Sequence, residues 1–429
     1  MPVDQSTVPR RALNVTRDTI HIGLLGLGQV GTAFASLVQR ESASARRPLA
    51  VDRALVREPG SRVRPRDVVI ETNPRAVLDR QPDIVVEVLG DLEPARTIVL
   101  EAIERGIPVV TANKSLLAHH GDELAESAAA AGVPLFFEAS VIAGVPFLSP
   151  LIRRSVLSAS FVSFSGILNG TSNFILSKMA NTGGAYDAAL NEACRLGFAE
   201  PDPFKDVAGL DALEKLVVLL RQLALASVHP GSIEVTGISH VTPAHLRLAR
   251  TLGGTIKPVV HARWNHAGVE AFAGSAFLSN EHALARLDGV TNGICLQDRA
   301  GRELLFAGPG AGPEVTAVTV LDDVIEAIGG TGWQPRAARR RPVTSPATPW
   351  FLHVSSPRSL LPGGHIADLL SAHGISIART SRANCVDGCA SVALLTSSCC
   401  RDRIDAAIAA IESAAACSAV PFRILGGQS

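Results

Sequence analysis

Thr19-Ile20-His21-Ile22-Gly23-Leu24-Leu25-Gly26-Leu27-Gly28-Gln29-Val30-Gly31 is the stretch that decides the fold of the first third of the chain. Its apolar run reads as a strand, its glycines fit G-x-G-x-x-G, and Thr32–Glu41 continues with helical spacing. Glycines at 26 and 28 allow a tight turn and a close approach of a pyrophosphate to the backbone. The helix start adds N–H donors and a partial positive charge. Gly26, Gly28, Gln29, Val30 and Gly31 are therefore the candidate dinucleotide cradle, with a purely structural glycine turn as the alternative reading.

Working outward, Leu49–Val56, Val68–Ile70, Ile84–Leu89, Pro108–Thr111 and Pro134–Phe137 read as further strands. Helix-like stretches at Pro94–Arg105 and Asp122–Ala131 lie between them. Strands and helices alternating at these lengths predict right-handed βαβ units and a doubly wound parallel sheet. We expect an α/β fold: a disordered leader over 1–19, a Rossmann-type dinucleotide-binding domain over 20–150 to which 308–330 returns, and a second, α+β domain over 151–307. In the second domain, Ser160–Ile167, Ile256–Val260 and Ile294–Gln297 read as strands; Thr171–Ala180, Tyr186–Leu196, Gly209–Ala226 and, further on, Val315–Ile328 read as helices. Residues 333–349 are basic and Pro-punctuated, the pattern of a linker. Beyond it, 350–429 carries a βαββα pattern: strand Trp350–Ser355, helix His365–His373, strand Ile375–Asn384, an Asp387-Gly388 turn, strand Ala390–Thr396 and helix Asp402–Ala415.

Composition removes several function classes. The 429 residues carry 40 Lys+Arg against 40 Asp+Glu, so nothing in the net charge attracts nucleic acid or an anionic membrane surface. A chain this long exceeds one core, which agrees with several domains. No apolar run of about 18 residues is present, and the leader is polar, so a soluble, cytoplasmic protein is expected. Seven cysteines, an odd number, read as reduced thiols. Cys385 and Cys389 flank the Asp-Gly turn and Cys399-Cys400 are adjacent with no nearby His, which is not zinc spacing.

Three segments offer chemistry. Gly209-Leu210-Asp211-Ala212-Leu213-Glu214-Lys215 puts Asp211 and Lys215 one turn apart, beside the apolar run Leu216–Leu220. An i, i+4 ion pair is one reading; the other is a lysine near apolar surface that exchanges its proton readily. Gly197-Phe198-Ala199-Glu200-Pro201-Asp202-Pro203 is a Pro-fixed acidic loop suited to an ammonium group or simply to solvent. Asn169-Gly170-Thr171-Ser172-Asn173 presents amides and hydroxyls at a helix start, where capping alone would explain them. At the end of the second strand, Arg57 precedes Glu58; a cation there suits a 2′-phosphate, and an isolated surface arginine is the alternative.

Together with Val86-Glu87-Val88-Leu89-Gly90, Val109-Val110-Thr111-Ala112-Asn113-Lys114, Glu138-Ala139-Ser140-Val141 and Gly166–Thr171, these segments resemble homoserine dehydrogenase over nearly all of 20–330. The resemblance implies NADP- or NAD-dependent interconversion of L-homoserine and L-aspartate 4-semialdehyde, in threonine and methionine biosynthesis, by a homodimer or higher homo-oligomer. It makes Lys215 the proton donor and acceptor, Asp211 and Glu200 the acids that hold the substrate's amino end, and Lys114 the lysine near the nicotinamide. Gly170 and Thr171 line the substrate, and Gly197 and Gly308–Gly312 approach the cofactor. It also implies a monovalent cation, sodium, held by Glu138 and the carbonyls of Val141, Ala143 and Val145. Ile142-Ala143 stand where the family often has glycine, and Val315 where it usually has proline. A phosphorylating semialdehyde dehydrogenase would need a thiolate with a His partner, a setting neither Cys194 nor Cys295 has. A catalytically silent amino-acid sensor is the competing class, and the intact set of Lys215, Asp211, Glu200 and Lys114 argues against it.

The C-terminal run Ile366–Ile377 resembles an ACT domain. Where that family carries its Asp-x-Pro-Gly ligand turn, this chain has Arg358-Ser359-Leu360-Leu361, with Pro362-Gly363 displaced towards the helix. The resemblance therefore implies a decayed effector site and weak or absent inhibition by threonine; the alternative is that Pro362-Gly363 realigns through a short gap and restores the site.

Overall fold

A computed structural model describes residues 19–42, 47–58, 65–328, 343–356, 363–384, 390–415 and 417–426. The leader, most of the predicted linker, the Arg358–Leu361 turn and the Asp387-Gly388 turn with Cys385 and Cys389 lie outside the described residues.

The first elements are β1 (Ile20–Leu25), α1 (Gln29–Glu41), β2 (Leu49–Leu55), β3 (Val69–Glu71), α2 (Pro74–Leu78), β4 (Ile84–Glu87), α3 (Ala95–Glu104), β5 (Val109–Thr111), α4 (Lys114–Ala131) and β6 (Leu135–Phe136). Then come α5 (Leu148–Arg153), α6 (Ser155–Ser160), β7 (Phe161–Ile167), α7 (Gly170–Thr182), α8 (Tyr186–Arg195), α9 (Phe204–Val207) and α10 (Leu210–Leu223). They are followed by β8 (Glu234–Val235), α11 (Pro243–Thr251), β9 (Gly254–Trp264), β10 (Val269–Ser279), β11 (Thr291–Asp298), β12 (Glu303–Pro309) and α12 (Pro313–Ile328). The chain ends with β13 (Val343–Thr344), β14 (Trp350–Ser356), α13 (Gly363–Ala372), β15 (Ile377–Asn384), β16 (Ala390–Thr396), α14 (Arg401–Ala415) and β17 (Ser418–Leu425).

Two compact units result. The first holds the described residues up to Phe161, Glu214–Pro230 and those from Gly308 to Ile328. Its sheet is wholly parallel in the order β3-β2-β1-β4-β5-β6. Strand order reverses between β1 and β4, so the crevice for a ligand opens at the carboxyl ends of those two strands. Both faces are covered by helices, and Ile22, Leu24, Val85, Val86, Val109 and Val110 are buried accordingly. α12 packs on α1 in this unit.

The second unit holds Val162–Leu213, Gly231–Ala307 and the described residues from Val343 on. One sheet runs through it in the order β12-β11-β7-β9-β10-β17-β14-β16-β15, with β8 and β13 also on β10. The long hairpin β9–β10 pairs Gly254 with Ser279 through to Trp264 with Val269. β17 then joins β10 in parallel, Ala276 opposite Arg423, so the C-terminal module continues the central sheet. It has one strand more than the βαββα pattern. The period-2 alternation of β14 builds two cores: Trp350, Leu352 and Val354 face α13 and α14, while Phe351 packs with Phe277 and Phe422 against α7 and α11. The end of the predicted linker is also structured, since Val343–Thr344 pair with β10 and Thr348 bridges Cys399.

Candidate active site

The cofactor cradle follows from the glycines. Gly26 has φ +106°, and a Cβ there would lie 2.8 Å from the Val88 carbonyl oxygen. At Gly31 a Cβ would meet the Gly26 carbonyl oxygen at 2.0 Å, so no side chain fits without moving the turn. Gly28 caps α1 with no side-chain hydrogen bond, and a Cβ there would find open space. The N-terminal N–H groups of a 13-residue helix thus face an unobstructed surface, which suits a pyrophosphate. A cavity of about 810 Å³ opens there, lined among others by Gly26, Gly28, Val56, Arg57, Thr72 and Leu89. Gln29 and Gly28 also line a second cavity of about 520 Å³ with Thr32 and Glu314. Arg57 is exposed at the rim and pairs with Asp91 at 2.9 Å. These residues fit a dinucleotide.

Across the sheet reversal, a buried acid organises the next loop. Glu87, wholly buried at the end of β4, accepts from Thr111 Oγ1 at 2.5 Å, from the Leu89 N–H at 2.8 Å and from Asn113 Nδ2 at 3.3 Å. Burial pushes its carboxyl up, and these donors pull it back down. Asn113 also donates to the Asp91 carbonyl oxygen at 2.9 Å and caps α4 through the Leu116 N–H at 3.0 Å. The cap makes Lys114 the first residue of an 18-residue helix and fixes its place at the carboxyl end of β5. In the same unit, Ser115 Oγ donates to Glu214 Oε2 at 2.7 Å, beside Lys215, which is only 9% exposed.

In the second unit, Asn169 joins three groups. Its Oδ1 accepts from the Ser172 N–H at 2.8 Å and caps α7, while its Nδ2 donates to Asp206 at 2.7 Å and to Asp211 at 2.9 Å. One amide thus draws together two carboxylates that are five residues apart in sequence. Ser172 Oγ donates to the Asp206 carbonyl oxygen at 2.9 Å, and Thr171 Oγ1 to that of Phe198 at 2.5 Å. The loop bearing Gly197 and Glu200 is tied to the start of α7 in this way, with both residues exposed. Paired carboxylates fixed from behind are suited to an ammonium group. α10 carries Asp211 and, one turn later, Lys215.

The family profile described as "Homoserine dehydrogenase" matches residues 146–325, and "Homoserine dehydrogenase, NAD binding domain" matches 26–138. The homoserine dehydrogenase of Synechocystis sp. is 34% identical over 406 residues, 88% of this chain and 92% of its own. That of Corynebacterium glutamicum is 39% identical over 321 residues, 72% of each chain. The crystal structure of a homoserine dehydrogenase from Thiobacillus denitrificans superposes with a TM-score of 0.85 at 33% identity, over 95% of this chain and 98% of that one. A hyperthermophilic archaeal homoserine dehydrogenase in complex with NADPH gives 0.62 at 26% identity, over 74% of this chain and 100% of that one.

The chain belongs to the homoserine dehydrogenase family.

It is accordingly an NAD(P)-dependent oxidoreductase, and a catalytically silent sensor is not favoured. Glu138 is 5% exposed; its carboxylate accepts from the N–H groups of Phe147, Leu148 and Ser149, and its own N–H donates to Asp323 at 3.0 Å. Burial pushes the carboxyls of Glu138 and Asp323 up. Val141, Ala143 and Val145 are buried on the following loop, and their carbonyls accept no hydrogen bond from the described residues. Val315 abuts this loop: a Cβ on Gly144, φ +78°, would lie 2.4 Å from its Cγ1. Gly170 is held close to the Val290 carbonyl, and Gly312, φ +119°, is exposed. The sequence alone assigns no role to Asp206 or Glu87, and of the two readings it offers for Asn169, an amide presented at a helix start or a mere cap, both describe what the residue does. The signal for Asp206 was weak, since its partner is 37 residues away.

Proposed function

We propose that this member of the homoserine dehydrogenase family interconverts L-homoserine and L-aspartate 4-semialdehyde with NADP as its preferred cofactor. The reading rests most on α10, where Asp211, anchored by Asn169, and the buried Lys215 stand one turn apart. Bound NADP supplies the hydride acceptor and NADPH the donor. Asp211 and Glu200 receive the substrate's ammonium, with Gly170 and Thr171 beside it. As homoserine is oxidised, Lys215 in its neutral form takes the proton from the hydroxyl oxygen while hydride leaves the carbon that bears it. In the reductive direction its ammonium returns that proton to the developing alkoxide and stabilises the charge. Lys114 lies on the nicotinamide side, and Gly197 and Gly312 approach the cofactor. Arg57 receives the 2′-phosphate, a role supported by its place at the rim of the large cavity.

Glu138 and the carbonyls of Val141, Ala143 and Val145 would hold a sodium ion. Unpartnered carbonyl oxygens are the hard donors such an ion takes, and the ion would stiffen the loop. We place the enzyme in the cytoplasm, feeding threonine and methionine biosynthesis, as a homodimer formed through residues 151–307. The layout of 20–150 with 308–330 for cofactor, 151–307 for substrate and 350–429 as an ACT-like module is part of this proposal. A spectrophotometric assay with homoserine and NADP tests it: cofactor reduction that saturates with homoserine is expected. No turnover with homoserine under NADP or NAD would reject it.

A further inference from the structure

α10 is fastened to α4 at two levels within the first unit. At the far level, Arg221 donates to the Leu117 carbonyl oxygen and pairs with Asp122 at 2.6 Å, while Ser227 Oγ donates to Asp122 at 2.6 Å. Gly121 makes the room, since a Cβ there would lie 2.5 Å from Arg221 Nη1. At the near level the fastening is the 2.7 Å bond from Ser115 Oγ to Glu214 Oε2. Glu214 and Arg221 are seven residues apart, two turns and one helix face, so both address α4.

The near level joins the sequence neighbours of the two lysines. Ser115 follows Lys114 and Glu214 precedes Lys215. The Arg221 clasp lies about 9 Å further along the helix, at 1.5 Å per residue from Lys215, so of these bonds to α4 it is the one from Ser115 that acts at the level of the lysines. We propose that Glu214 is a positioning residue, whose bond from Ser115 sets the spacing of Lys114 and Lys215. This rests on the reading that those lysines serve the hydride-transfer reaction. The buried Arg221 clasp keeps the helices together without the near bond, so its loss acts on geometry more than on folding. A misplacement of about 1 Å near reacting groups is enough to cost a large rate factor.

The test is a double-mutant cycle on homoserine oxidation by the full-length protein, with melting temperatures alongside. Ser115→Ala and Glu214→Ala should each lower kcat roughly tenfold, a modest share of what misplacement can cost, while the homoserine KM and the melting temperature stay close to those of the unmodified enzyme. The double variant should be no slower than either single one, because both remove one bond. Glu214→Gln keeps the acceptor oxygen and should restore kcat. Unchanged kcat in Glu214→Ala, multiplied losses in the double variant, or a Glu214→Gln as slow as Glu214→Ala would each overturn the proposal, the last by showing that charge and not the bond matters. Should the unmodified protein not oxidise homoserine, the functional reading fails separately, and acylation of Lys114 and Lys215 by acetic anhydride, read by peptide mass spectrometry, decides the geometry. Altered rates at both lysines in Glu214→Ala would support the bond's role, and unaltered rates would refute it.

Discussion

Replacing Gly28 by alanine separates cofactor binding from folding. Gly28 has φ −74° and ψ −157°, an extended backbone that alanine adopts without strain, and a Cβ there meets no heavy atom within 4 Å. Alanine is a poorer helix cap than glycine, which costs up to about 1 kcal/mol. The added methyl stands on the surface where a pyrophosphate must approach the first N–H groups of α1. Pushing the phosphate back by about one methyl radius weakens one or two charge-assisted hydrogen bonds worth roughly 1.5 to 3 kcal/mol each. NADPH should therefore bind on the order of 100-fold more weakly, about 2.7 kcal/mol. Gly31→Ala is the contrasting variant: its Cβ would sit 2.0 Å from the Gly26 carbonyl oxygen, so the turn must shift by more than an ångström. It should lower both the melting temperature and NADPH affinity. Fluorescence titration with NADPH and a thermal melt on each variant decide the matter. A Gly28→Ala protein that binds NADPH with unchanged Kd would refute this account of the cradle.

Other outcomes follow from single groups. Burial lowers His245 to about 3 and His353 to about 4, from a usual value near 6.5, so both are neutral in the fold and protonate on unfolding. Their contribution is intact above pH 6.5 and is lost as pH falls towards those values, at up to about 1.4 kcal/mol per pH unit for each. His245→Gln removes one titration and can keep the capping box with Thr242; its melting temperature should fall less between pH 7 and pH 5 than that of the unmodified protein, and an equal fall would contradict the assignment. Arg57→Ala should lower kcat/KM for NADPH by roughly tenfold and leave NADH unaffected, as loss of an exposed charge-assisted contact implies; equal effects on both cofactors would count against a 2′-phosphate role. L-threonine titrated into the homoserine assay should inhibit weakly or not at all, and saturable inhibition at low millimolar concentration or below would show a working effector site.

The parallel domain was legible because β1, β4, β5 and β6 are short, mostly buried apolar runs, and β1, β4 and β5 lead into a helix or turn signal. α4 was harder. Its apolar periodicity suggested Asp122–Ala131, whereas the helix starts at Lys114 because Asn113 caps it. β10 went unread because Val269–Ser279 is rich in Ala, Gly and Ser and is buried on both faces, which leaves no alternation. β17 was hidden by Pro421, a residue that argues against a strand. The structure accommodates it: Pro421 lies opposite Leu352, and β10 meets β17 only from Arg423 onward, so the proline sits where the other edge is not paired to β10. In the site, the segment from Gly197 to Lys215 was recognisable as a motif. The Asn169 bridge to Asp206 and Asp211 and the Ser115–Glu214 bond were not, since such contacts join positions 37 to 99 residues apart and leave no local pattern.

The pH dependence of homoserine oxidation by the unmodified protein and by Lys215→Met tests the central claim most directly. Oxidation requires Lys215 to take the substrate's hydroxyl proton, so the unmodified enzyme should reduce NADP with homoserine across the pH range in which it is folded. Lys215→Met should fold, bind NADPH normally and lose roughly 100-fold or more in kcat at every pH, as expected for a positioned proton acceptor. Near-normal turnover by Lys215→Met at any pH would contradict the account.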